Sequence, residues 1–198
     1  RSKARHAAEA CSAGVPRVHL INGLVTEGLL AEVFSNEGIG TLVYANEYRQ
    51  IRPAKKKDAA SIHRLSREAM AEERLIARSE EAIEELLEDY FLFEIDDNPV
   101  ACVALHTHTK EGIGELAHLF VNPSHGNQGI GQRLVQYVED KARESGLTKL
   151  VTLSTQSFAF FTNKSGFIEG DLSDLPVARQ AAHQKQGRNS KVLIKELS

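Results

Sequence analysis

Apolar positions along the chain recur at helical spacing from Ala4 to Ala13 and stop at Gly14. Arg17 to Ile21 then reads as a strand closed by the turn pair Asn22-Gly23, Gly28 to Phe34 is again helical, and Gly40 to Ala45 is a second strand. Two strands with so little helix between them cannot bury both faces of a sheet. This first stretch, residues 1–46, reads as a piece of α/β structure that needs a partner or is a fragment of something larger, and its uncovered face is expected to serve self-association or another subunit.

The pattern restarts at Tyr48 with a short strand to Arg52, ended by Pro53. Asp58 is expected to cap a helix running to about Arg74, with Ile62, Leu65 and Ala69 on one face. Ser79 caps the next helix, whose positive end takes Glu80 and Glu81 and whose stripe is Ile83, Leu86, Leu87 and Tyr90. Phe91 to Ile95 and Val100 to Thr107 read as the arms of a hairpin turning at Asp96-Asp97-Asn98-Pro99. Glu115 to Val121 is a largely apolar central strand. Gly129 opens a long helix with Leu134, Val135 and Val138 inward, and Gly146 stops it. A parallel-type strand from Lys149 to Ser154, a short helix to about Lys164, a turn at Gly166-Phe167 and a strand at Val192 to Ile194 complete the series. The fold class is α/β, in the form of an α+β mixed sheet with helices on both faces.

Charge narrows the function classes. With 24 basic and 27 acidic side chains the net charge is −3, so a whole-protein basic field for nucleic acid is absent, though a local basic groove remains open. Cys11 and Cys102 lie far apart in apolar surroundings, which suits two small buried thiols and fits neither a disulfide framework nor a metal site. No apolar run reaches the ~18 residues that span a bilayer, and Arg1 to Arg5 has no apolar region behind it. A cytoplasmic protein without metal, membrane or nucleic-acid partner is the expectation.

The most informative block runs from Glu115 to Leu134 (ELAHLFVNPSHGNQGIGQRL). A strand enters a glycine-bearing turn and leaves it as a helix, so unpaired backbone N–H groups and the helix dipole converge where a pyrophosphate can sit. Alone, Gly-x-Gly at a helix start serves a tight turn equally well. In its context the block resembles motif A of the GNAT acetyltransferases, whose loop reads Arg/Gln-x-x-Gly-x-Gly/Ala. Gly129 and Gly131 match; Gly126, followed by Asn127, stands where the family has Arg or Gln, which removes one side chain from the phosphate cradle and keeps the backbone donors. The resemblance covers Tyr48 to Ser198.

The tail is more specific. Leu150 to Thr155, Phe160-Phe161, Gly166-Phe167, Leu175-Pro176, Arg179 and Arg188 to Leu193 resemble the C-terminal half of the N-acetylglutamate synthase family. Arg17 to Ile21, Gly28 to Glu32 and Glu37 to Thr41 resemble the end of the amino-acid-kinase domain that precedes the acetyltransferase in that family. The resemblance implies a kinase-like remnant over residues 1–46, a GNAT domain over residues 47–198, and transfer of acetyl from acetyl-CoA to the α-amino group of L-glutamate. Acetylation of another amino acid or primary amine, and a non-catalytic module that senses acetyl-CoA or arginine, remain as alternatives.

The same resemblance assigns roles. Leu119, Phe120, Val121, Gly126, Asn127, Gln128, Gly129, Ile130 and Gly131 would hold acetyl-CoA. Glu115 would be the general base, because an α-amine with a pKa of about 8 or higher must lose a proton before it attacks. Backbone N–H groups near His118 and Leu119 would meet the oxyanion. The position where many relatives carry an acidic Tyr is Thr162 here, so Ser154 would protonate the leaving thiolate. Arg78, His106, Arg188 and Ser190 would bind the two glutamate carboxylates, which suit arginine's bidentate fork. His19, Glu32 and Gly38 match the spacing of an arginine-effector site.

Overall fold

A computed structural model describes residues 2–15, 17–34, 38–44, 49–186 and 190–197. The chain forms two compact units, Arg1–Tyr48 and Arg49–Ser198. Arg188, Ala45 and Tyr48, each named in the sequence reading, lie outside the described residues.

In the first unit, helix α1 (Ser2–Ser12) packs Ala7 and Cys11, one turn apart, inward beside an antiparallel ribbon of β1 (Arg17–Leu20) and β2 (Thr41–Tyr44). The Cys11 thiol donates to the Val43 carbonyl at 3.3 Å, so a small side chain there also completes a polar contact. Helix α2 (Gly28–Phe34) lies between the strands in sequence. Leu24 and Phe34 are 93% and 81% exposed.

The second unit is one seven-stranded sheet. Its strands are β3 (Arg49–Pro53), β4 (Tyr90–Ile95), β5 (Asn98–His108), β6 (Ile113–Val121), β7 (Lys149–Ser154), β8 (Ile168–Glu169) and β9 (Lys191–Glu196), in the order β3-β4-β5-β6-β7-β9-β8. Among the described residues only β6 and β7 pair in parallel. Among the described residues five α-helices join them: α3 (Ala59–Ala71), α4 (Glu80–Glu85), α5 (Ile130–Glu144), α6 (Phe158–Ser165) and α7 (Val177–Gln186).

Strand β4 explains why the central strands read as unbroken apolar runs. Phe91, Phe93 and Ile95 face a core built with Leu134, Val135 and Val138 of α5, while Tyr90 and Leu92 face a second core with Ile62 and Ala69 of α3. Both faces of the sheet are covered, so both side-chain parities are apolar. Among the described residues no helix is long and apolar enough to cross a membrane.

Four local differences from the sequence reading have physical causes. The hairpin loop is two residues, not four: Ile95 pairs with Asn98, and Asp96 and Asp97 have φ of +52° and +64°, the both-positive turn whose twist matches a two-strand ribbon. Tyr90 opens β4 rather than closing the helical stripe, because α4 ends at Glu85 and a 3₁₀ turn, Leu87–Asp89, intervenes. Asp58 precedes α3 but makes no side-chain bond to that helix's amides. Its carboxylate instead takes the Lys55 amide at 2.7 Å and the Arg52 guanidinium at 2.6 and 3.1 Å. Burial pushes the Asp58 carboxyl up, but these hydrogen bonds hold it below its ordinary value. Finally, α7 and β8 leave no mark in the sequence pattern, because α7 is largely polar and β8 is two residues long.

Two irregularities in β6 open the sheet. Ala104 pairs with Ala117 and Cys102 with Phe120, so Val103 faces both His118 and Leu119, and His118 has φ +50°. This is a β-bulge, which bends its strand and re-aims the groups on it. On the other side, the ladder between β6 and β7 covers only Ile113 to Glu115 against Lys149 to Val151. Beyond Glu115 the two parallel strands part.

Candidate active site

The cleft where β6 and β7 part is lined by Glu115 to Leu119, by Thr152 to Ser157, and by Arg74, Arg78, Phe161, Arg179 and Ser190. It therefore brings Glu115, Ser154, Arg78, Ser190 and Leu119 together from sequence positions far apart. Glu115 is 5% exposed, and its Oε1 accepts from Arg179 Nε on α7 at 2.8 Å. Ser154 ends β7; its Oγ accepts from the Ser157 amide at 2.9 Å, which leaves its own O–H to donate elsewhere. Thr162 Oγ1 donates to the Phe158 carbonyl within α6 at 3.1 Å, so its proton is committed to its own helix.

A buried polar chain runs behind the cleft. Ser66 Oγ donates to the Ile62 carbonyl at 2.8 Å, so the His118 Nε2–H must donate to Ser66 Oγ at 2.9 Å. His118 Nδ1 then accepts from the Tyr90 hydroxyl at 3.3 Å, and Tyr90 Oη accepts from Arg78 Nη1 at 2.9 Å. Burial, together with the charge of Arg78, pushes His118 down to about 3, which keeps it in the neutral form this chain requires. Burial likewise raises the Cys102 thiol to about 12, and its Sγ lies 3.7 Å from the His118 carbonyl. The bulge is thus held from both its side chain and its backbone. Arg78 is pinned a second time: Nη2 donates to His106 Nε2 at 3.2 Å, and His106 Nδ1 donates to Asp89 Oδ2 at 2.6 Å. His106 stands behind Arg78 rather than in the cleft lining.

The glycine-bearing loop follows β6 directly. Asn122 Oδ1 accepts from the amide and the hydroxyl of Ser124, closing a short 3₁₀ turn, Pro123–His125. Asn127 and Gly129 then adopt φ of +59° and +74° before α5 begins at Ile130. Among the described residues no hydrogen bond takes up the amides of Asn127 to Gly131, as expected for the first turn of a helix and the turn before it. Gly131 has a separate reason to be glycine: a Cβ there would lie 3.1 Å from the Phe160 ring of α6. Gln128 Oε1 accepts from Arg49 at 2.9 Å, while Ile130 is buried in the core. A strand, a bulge, a parting of parallel strands and a helix N-terminus with open amides form one continuous cleft that can receive a phosphorylated ligand.

The model of the Acetyltransferase (GNAT) family matches residues 59–167, more than half of the chain. The chain belongs to the GNAT acetyltransferase family. It is 37% identical over 193 residues to an amino-acid acetyltransferase of Serratia proteamaculans, covering 98% of this chain and 43% of that protein. Two solved structures of N-acetylglutamate synthase from Neisseria gonorrhoeae are each 34% identical to it. One, complexed with coenzyme A and N-acetyl-glutamate, has a TM-score of 0.74 over 98% of this chain and 46% of that one. The other, complexed with coenzyme A and L-arginine, has a TM-score of 0.71 over 100% and 45%. The chain therefore spans less than half the length of these relatives. These matches establish the resemblance to the GNAT acetyltransferases and the mixed α/β fold read from the sequence.

In this GNAT chain the remaining sequence candidates are distributed as follows. Phe120 is buried against the α3 core and Val121 packs near Gly131. His19, Glu32 and Gly38 come together in the first unit: His19 Nδ1 lies 2.7 Å from Glu32 Oε1, and a Cβ on Gly38 would lie 2.8 Å from Glu32 Oε2. Sequence reasoning did not assign Arg74, His118 as a buried anchor, Tyr90, or the pairing of Arg179 with Glu115. For Arg179 a signal existed, since it stands within the tail pattern that resembles the family.

Proposed function

We propose that this chain transfers the acetyl group of acetyl-CoA to the α-amino group of L-glutamate. The observation that carries the reading is the company Glu115 keeps: a buried carboxylate in a cleft that also holds Arg78 and Arg179. Cationic forks suit an acceptor with two carboxylates, and a carboxylate base suits an amine. Similarity to a Neisseria structure that holds coenzyme A and N-acetyl-glutamate supports the same acceptor.

In this mechanism the amides of Asn127 to Gly131, with the α5 dipole behind them, hold the diphosphate. Leu119, Phe120 and Val121 run beside the acyl arm. Glu115 takes a proton from the substrate ammonium, and the freed amine nitrogen bonds to the thioester carbonyl carbon. The carbonyl oxygen takes the negative charge, which backbone N–H groups at the His118–Leu119 bulge stabilise. As the carbon–sulfur bond breaks, its electron pair stays on sulfur. Of the two protons the ammonium loses, one ends on the thiol, relayed by Ser154, and the other reaches solvent through Glu115. Arg78, steadied by Tyr90 and His106, binds carboxylate together with Arg188 and Ser190. The test is thiol release by the purified chain. Saturable release that depends on glutamate is expected; release that ignores glutamate, or that is as fast with an uncharged amine, overturns the reading.

A second, regulatory reading concerns the first unit, where His19, Glu32 and Gly38 would take arginine. A relative's structure with L-arginine bound supports it. Glu32 is already bonded to His19, so a guanidinium must displace His19 from Oε1. Calorimetric titration is expected to show arginine binding that weakens in H19A and disappears in E32A; no heat with the parent chain contradicts it. A cytoplasmic enzyme that associates through the exposed Leu24 and Phe34 side chains completes the proposal.

A further inference from the structure

The second anchor for the acceptor is suggested by Arg179. Its Nε donates to Glu115 Oε1 at 2.8 Å, and its side chain is 16% exposed in the cleft. A guanidinium carries five N–H donors in a rigid fork. Among the described residues only the Nε–H has a partner, so the Nη1 and Nη2 edge is uncommitted. The backbone under it is well held. The Arg179 amide donates to the Pro176 carbonyl at 2.7 Å, the Val177 amide donates to Glu111 Oε2 at 3.0 Å, and Gln180 Nε2 donates to the Leu175 carbonyl at 2.8 Å. Leu175 is itself buried in the core. One planar group on a fixed helix start thus holds the proposed base by one edge and offers a second anion-binding edge to the same cleft.

An α-amino acid carries its amine and its α-carboxylate on one carbon. A guanidinium that holds Glu115 by Nε and a carboxylate by its Nη edge sets that amine beside Glu115. We infer that Arg179 is a specificity-determining residue that reads the acceptor's α-carboxylate and orients Glu115 toward the adjacent amine. This inference rests on the proposed transfer to glutamate and names the feature that selects α-amino acids from other primary amines. Arginine fits the task because lysine, a point charge, cannot hold two carboxylates in one plane.

The experiment compares kcat/KM for L-glutamate, L-isoglutamine (the α-carboxamide) and L-glutamine (the side-chain amide) in the parent chain, R179Q and R179K. The parent is expected to prefer glutamate over isoglutamine by about 10- to 100-fold, the range for losing a charge-assisted hydrogen bond. In R179Q that ratio collapses toward 1, and in R179K it falls part of the way. The ratio of glutamate to glutamine, which share the α-carboxylate, stays within about threefold of the parent's. Each ratio is taken within one preparation, so a reduced folded fraction cancels, and R179K, which keeps the charge beside Glu115, covers the case in which R179Q does not fold. Turnover with glutamate but an unchanged glutamate-to-isoglutamine ratio in both variants overturns this inference alone. Absence of glutamate-dependent turnover in the parent overturns the proposed function and this inference with it.

Discussion

Glu32 in the first unit and Glu115 in the second are both buried carboxylates, 7% and 5% exposed, yet their surroundings differ in kind. Glu32 is saturated. Oε1 meets His19 at 2.7 Å, while Oε2 accepts the amides of Ile39 at 2.7 Å and Gly40 at 2.6 Å. Gly38, with φ +63°, leaves the room that lets this loop wrap the carboxylate. The His19 bond first, and then the two amides, hold Glu32 below its ordinary value of 4.5. Glu115 has one bond to one arginine among the described residues, in a cleft that is otherwise open. A saturated carboxylate organises a loop; a singly tied one keeps lone pairs for a proton.

The comparison breaks most sharply at Glu115. E115Q keeps the shape and removes the base, so kcat should fall by about 10²- to 10⁴-fold. Its melting temperature and its affinity for acetyl-CoA should stay near those of the parent. Steady-state kinetics with calorimetry checks this, and a variant that turns over like the parent denies Glu115 its role. E32Q, by contrast, should leave turnover unchanged under conditions where acetyl-CoA and glutamate saturate.

A smaller effect is expected behind Arg78. D89N weakens the bond that orients His106, and His106 in turn steadies Arg78. KM for glutamate should rise by about 2- to 10-fold, the worth of one ordinary hydrogen bond, with kcat little changed. A fall in kcat at constant KM would mean that the His106 pair serves the chemistry instead of the binding.

The smallest effect is local and depends on pH. The folded-state pKa of Glu32 is depressed, so its contribution is present above 4.5 and is lost as pH falls through the lower folded value. Amide hydrogen exchange at Ile39 and Gly40 should lose protection in that acidic window, before the core strands of the second unit do. Protection unchanged down to the point of global unfolding would show that the loop does not depend on the Glu32 carboxylate.

Much of the second unit was legible because its helices are amphipathic and its central strands are buried on both faces. Gly129, Gly146 and Gly166 mark element ends in the sequence, and each has a φ above +70° in the structure. What escaped was either too short, too polar or too distant. Strand β8 has two residues, fewer than any period needs. Helix α7 (VARQAAHQKQ) has no apolar stripe to announce it. Tyr90 stands seven residues after Ile83, a separation that suits two helical turns as well as a strand start. In the site, Glu115 and Ser154 stood out through their motif context. The bulge at His118 is set by its partners Tyr90 and Ser66, and Arg179 meets Glu115 across 64 residues of chain. No local pattern encodes such pairings.

The opening between β6 and β7 is the feature on which the proposed acetyl transfer depends. A crystal structure with coenzyme A and glutamate tests it directly. The thiol is predicted to lie between the parted strands within reach of Ser154, with the diphosphate on the amides of Asn127 to Gly131 and the acceptor amine beside Glu115. A thiol bound outside that gap, or a diphosphate that leaves those amides unused, would contradict the account.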